Sequence, residues 1–133
     1  SITELKDSSY AMTGVSTSFS TDKDIIVVKV DTAGVVLWTR TIRGDKIDVG
    51  RKIMATDDGG MVVVGSTASF GAGRRDIFLI KLDEEGKTEW SKTYGEELME
   101  RGRFVQQTND EGFAILGWKE NYQGIIWERI NCR

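Results

Sequence analysis

The chain has 133 residues, of which 39% are hydrophobic and 29% charged, with a net charge of −3. That balance is globular, lacks the dense basic face a nucleic-acid-binding domain needs, and contains no apolar run near the roughly 20 residues that span a bilayer. The absence of His removes Ser-His-Asp and Cys-His catalysis and most zinc sites, and a single cysteine, Cys132, excludes an internal disulfide.

In chain order, short runs of β-forming residues predict strands over 2–5, 10–16, 24–30 and 35–42, then 51–56, 61–67, 76–82 and 87–94, then 103–108, 113–118 and 125–130. With no Pro, the turns between them rely on Gly, Asp, Asn and Ser, as in Asp57-Asp58-Gly59-Gly60 and Asp83-Glu84-Glu85-Gly86. Ile77-Phe78-Leu79-Ile80 is apolar at successive positions, which predicts a strand covered on both faces. No stretch carries a helical period with caps, so the expected class is all-β.

The same plan is written more than once. Gly14, Gly65 and Gly117 lie 51 and 52 residues apart, Asp24-Ile25 returns as Asp76-Ile77, Trp38 as Trp90, and Gly50-Arg51 as Gly102-Arg103. One domain over 1–133 is therefore expected, with repeats at approximately 1–49, 50–101 and 102–133. A fixed period of that length, built of four short strands, is the signature of a propeller blade or a solenoid turn. The complete second copy carries Thr56-Asp57-Asp58-Gly59-Gly60, Val64-Gly65-Ser66-Thr67, Ser69-Phe70-Gly71-Ala72-Gly73, the run from Asp76 to Asp83, Gly86 and Glu89-Trp90-Ser91-Lys92-Thr93-Tyr94-Gly95. This succession resembles the bacterial and archaeal β-propeller repeat proteins. The first copy departs from it with Ser8-Ser9 at the Gly-Gly turn, and the third has a shortened loop without the Asp. The resemblance implies four-stranded antiparallel blades, a binding scaffold rather than a substrate, and an exported or envelope-associated location. A chain that begins at Ser1 is compatible with loss of an export signal or an upstream region.

Eleven expected strands make about two and two-thirds blades, whereas propellers close with four to eight. Three completions are open: two chains joined head to tail in a six-bladed ring, a ring of three chains, or a place within a longer protein. Self-association through blade faces is the expectation, with a dimer favoured. Glu128 falls at the position of Val28 and Ile80 and is expected to be paired or to lie at an interface.

Long connections gather at one end of such blades, and that end is the expected binding face. It would bring Asp45, Lys46, Asp48, Glu96, Glu97, Glu100 and Arg101 together with Asp22, Lys23, Arg74 and Arg75. Arg51 and Arg103 begin innermost strands and, with Arg74 and Arg75, are candidates to hold a carboxylate, a phosphate or an acidic sugar. An ion pair to Asp24, Asp76 or an acidic loop is the plainer reading of Arg51 and Arg103. Trp118 and Tyr122 are candidate anchors for a ligand, with core or subunit packing as the plainer reading. The acidic turns carry oxygen ligands but follow no calcium-loop spacing, so no metal and no cofactor are expected. The reading favours a non-enzymatic module that self-assembles and offers a loop face to a protein or a carbohydrate. The alternatives are a glycoside hydrolase using Glu96, Glu97 and Glu100 at a ring centre, and a structural fragment of a larger propeller protein.

Overall fold

The computed structural model of the chain describes residues 1–17, 22–71, 74–96 and 99–120, together with the backbone course of 126–130. The first sheet is formed by β1 (Ile2–Glu4), β2 (Tyr10–Ser16), β3 (Asp24–Val30) and β4 (Val36–Ile42). The second holds β5 (Asp48–Ala55), β6 (Met61–Thr67), β7 (Asp76–Leu82) and β8 (Thr88–Tyr94), and the third β9 (Glu100–Gln107), β10 (Phe113–Lys119) and β11 (Ile126–Ile130). Each sheet is an antiparallel meander in which neighbours in sequence are neighbours in space. No helix occurs among the described residues.

The sheets stack face on face, and each interface is made by alternate residues of the strands. Leu5, Ala11, Ile25 and Val27 of the first sheet region meet Ile53, Met61, Val63, Phe78, Ile80 and Leu82 of the second. From its opposite face the second sheet turns Val62, Val64, Ile77 and Leu79 onto Val105, Phe113 and Ile115 of the third. All residues of β6 and β7 are therefore buried, which is why their sequences read as continuous rather than alternating apolar runs.

Two tryptophans tie the outer strands to the next sheet. Trp38 of β4 donates from Nε1 to the Glu84 carbonyl at 3.3 Å, and its ring lies over Gly86. A Cβ at Gly86 would stand 2.9 Å from that ring, and its φ of 82° lies in the region that favours glycine. Trp90 of β8 packs with its ring centroid 5.8 Å from that of Phe113. The turn position held by Gly59 at a positive φ is taken by Ser8 in the first copy and Glu111 in the third, both also at positive φ.

The innermost strands depart from expectation by beginning earlier, at Asp48 instead of Arg51 and at Glu100 instead of Arg103. The cause is a β-bulge. Gly50 pairs with Gly65 and Lys52 with Val64, so Arg51 has no residue opposite it, and pairing resumes on its far side through Asp48. The third sheet repeats the device: Gly102 pairs with Gly117 and Phe104 with Leu116, leaving Arg103 at the bulge. β11 keeps the expected order, with Glu128 in register with Ile115. The Glu128 side chain lies outside the described residues.

Candidate functional site

The two bulges put Arg51 and Arg103 at the same point of neighbouring sheets, each directly after a glycine at a close approach of backbones. At Gly102 a Cβ would come within 2.5 Å of Val64 Cγ2 and 3.0 Å of the Gly65 carbonyl oxygen. Only glycine lets the third sheet approach the second this closely, and Arg103 follows immediately. Arg75 joins them from the start of β7. Its carbonyl accepts a hydrogen bond from the Glu100 amide at 2.6 Å, and an isolated parallel bridge links Arg75 to Met99. That link sets Arg75 beside Arg101, whose guanidinium stands 5.7 Å from the centroid of the Trp118 ring. Trp118 is the register partner of Arg101 and is 41% exposed.

Neighbouring guanidiniums act on Arg51 and Arg75. Burial, followed by the charges of Arg103, Arg101 and Arg75, pushes Arg51 below the ordinary arginine value. Burial and Arg101 do the same to Arg75, with Asp48 opposing them. The Nε atoms of Arg51 and Arg101 are buried without an acceptor. Among the described residues no carboxylate forms an ion pair with Arg51, Arg75, Arg101 or Arg103. The expected ion pair from Arg51 or Arg103 to Asp24 or Asp76 is accordingly not made.

Arg74, though adjacent in sequence, is set apart: it is exposed and pairs with Glu120. Trp118 lies on the outer face of the third sheet with Phe104 and Leu116, so it joins the arginines only through Arg101. Tyr122 and Glu97 lie outside the described residues.

The acidic members of the expected loop face behave differently from expectation, because two of them belong to strands. Asp48 is fully buried and accepts from the Thr67 hydroxyl at 2.5 Å and the Ser69 hydroxyl at 2.8 Å. Glu100, its counterpart 52 residues on, is 3% exposed and faces Lys119, which occupies the position of Thr67. Lys119 also pairs with Glu96 at 3.0 Å, and Glu96 foremost holds its ammonium above the ordinary value. These groups border a cleft of about 390 Å³ together with Thr93, Tyr94 and Gly95. Glu96 and Glu100, the two described members of the carboxylate set considered for hydrolysis, thus share one ammonium. Among the described residues no three of His, Cys, Asp and Glu come together where they could hold a metal ion.

Sequence reasoning missed the buried lysines. Lys29 and Lys81 are 6% and 4% exposed and reach turn carboxylates, Asp7 at 2.9 Å and Asp58 at 3.0 Å. The signal was present in the paired Lys29-Val30-Asp31 and Lys81-Leu82-Asp83, but alternation in a strand does not say that a charged position is covered. Arg101 was taken for a loop residue for the same reason as Asp48: the bulge that extends the strand is invisible to a β-propensity count. No family model matches the chain, and no curated protein matches it.

Proposed function

We propose that the chain is a non-enzymatic repeat module of the β-propeller type that associates with itself head to tail and presents its arginine-bearing end to a protein or carbohydrate ligand. One observation carries the self-association. The face of the second sheet that the first sheet covers consists of Met61, Val63, Phe78, Ile80 and Leu82, each at most 4% exposed. Their counterparts in the first sheet are Tyr10, Met12, Ile26, Val28 and Val30, paired in the same register. Among the described residues no other sheet covers them: they are half-buried, and Ile2 and Val36 beside them are 58% and 57% exposed.

At the other end, the third sheet turns out Phe104, Ala114, Leu116 and Trp118, where the second sheet buries Val62 and Val64 against its neighbour. Each open face therefore copies one side of an internal interface. Faces of that kind are complementary to each other rather than to themselves, and a head-to-tail contact between them closes a ring if the rotation allows. Open apolar surfaces of this extent mark interfaces. Two chains in this arrangement would make a ring of six sheets, within the four to eight typical of propellers.

The test is Val28→Glu, which puts a carboxylate on the open face without entering the internal core. In sedimentation equilibrium the wild type is expected to associate and the variant to remain a monomer with an unchanged β circular dichroism spectrum. A variant that associates as the wild type does would refute this route of assembly. Phe104→Glu serves as the same test from the opposite face.

A further inference from the structure

We infer that Arg51, Arg75, Arg101 and Arg103 form a binding site for an oxoanion, the carboxylate or phosphate group of a small ligand, at the end of the sheets where the innermost strands begin. The inference rests on the reading of that end as the binding face, and it names the chemistry of what binds there.

Four like charges do not gather by default in a chain with 21 acidic and 18 basic residues. Four other cations form ion pairs: Lys29 with Asp7, Lys81 with Asp58 and Glu89, Lys119 with Glu96 and Glu100, and Arg74 with Glu120; none of the four arginines pairs with a described carboxylate. Asp48, the acid that acts on Arg75, spends both carboxylate oxygens on Thr67 and Ser69. Glu100, next to Arg101 in the chain, is engaged through Oε1 by the Glu96 amide and Lys119, while its buried Oε2 makes no hydrogen bond to the arginines. Arg101 donates to the Met99 sulfur at 3.3 Å, and the cluster is left with positive charge that no described carboxylate takes up in an ion pair.

The placement is also built rather than incidental. The same Gly-Arg bulge occurs in the second and third sheets, and a bulge re-aims a side chain that a regular strand would send to the opposite face. The Arg101 guanidinium stands 5.7 Å from the centroid of the Trp118 ring, within the range over which a cation is attracted to a ring face. The planar fork of a guanidinium suits bidentate pairing with a carboxylate or phosphate better than it suits a spherical ion.

The full chain is titrated calorimetrically at low salt with inorganic pyrophosphate, with trigalacturonate and with a neutral trisaccharide. Saturable binding of pyrophosphate alone points to a phosphate-bearing ligand, and of trigalacturonate alone to an acidic sugar; either supports the site. The double variant Arg51→Gln/Arg103→Gln is expected to weaken that binding at least tenfold, and the wild-type affinity is expected to fall as salt is added. Arg103 is exposed, so the single variant Arg103→Gln tests the site without disturbing a buried position, and is expected to weaken binding severalfold. Failure of both anions to bind at millimolar concentration, equal binding of the neutral sugar, or unchanged affinity in Arg103→Gln and the double variant would overturn the inference. The site is built within one chain, so its failure is separable from that of self-association. A monomer that binds the anion overturns only the assembly, and an assembled chain that binds neither anion overturns only the site.

Discussion

Asp58 condenses the residue-scale physics of this fold. Its carboxylate accepts from the Thr56 hydroxyl at 2.6 Å and the Gly60 amide at 3.1 Å, which closes the β5–β6 turn, and it faces the buried Lys81 ammonium at 3.0 Å. Burial pushes the Asp58 carboxyl up, but Thr56, Lys81 and Gly60 together outweigh it and bring it to about 2. Asp7 repeats the arrangement one sheet earlier, where the Ser9 hydroxyl foremost, and then Lys29, lower its carboxyl to about 2. A carboxyl lowered on folding from 3.8 contributes stability that is full above about 3.8 and is lost as pH falls toward 2. Both side chains are about half exposed, so solvent screens the pairs and the contribution is modest. Wild type is accordingly expected to be more stable than Asp58→Asn in urea at pH 6, with the gap closing by pH 2. A gap that does not change with pH would show that the Asp58 charge adds nothing to the fold. The turns themselves were legible in the sequence as Asp-Gly punctuation. The lysines that cap them were not, because a strand pattern cannot reveal what the neighbouring sheet places over a charged position.

At the scale of the strand, the repeat allows one position to be compared in two environments. Ile80 of β7 is 1% exposed between two sheets, while Val28 of β3 holds the same register position half-buried, on a face that no other sheet of the described residues covers. Ile80→Ala removes buried methyl groups and leaves a cavity, for an expected loss of about 2–5 kcal/mol. Val28→Ala is expected to cost about 1 kcal/mol or less in dilute protein, and more at concentrations where chains associate. Chemical denaturation at two protein concentrations checks both; equal, concentration-independent costs would mean that Val28 is never covered. The strand order, the β6 and β7 limits and the covered faces were readable because apolar runs of this length and composition have few alternatives. The start of β5 and β9 was not, since Asp48 and Glu100 are poor strand formers that pairing retains beyond a bulge. That error also misassigned part of the candidate site: Asp48 and Glu100, two of the acids expected on the loop face, are buried in strands.

For the whole molecule, three stacked sheets leave two unlike ends. Each buried interface joins one kind of face to the other, and the free ends supply one of each kind. The fold class followed from the repeat, but a repeat cannot state how many units complete it, because one unit does not specify what meets the free face of the last. The proposed ring makes a definite claim about that interface, and native mass tests it most directly. Light scattering behind size exclusion, run over a range of concentrations, is expected to give a stable species of twice the 14.9 kDa chain mass. A well-folded chain that stays at the monomer mass at every concentration would contradict the account.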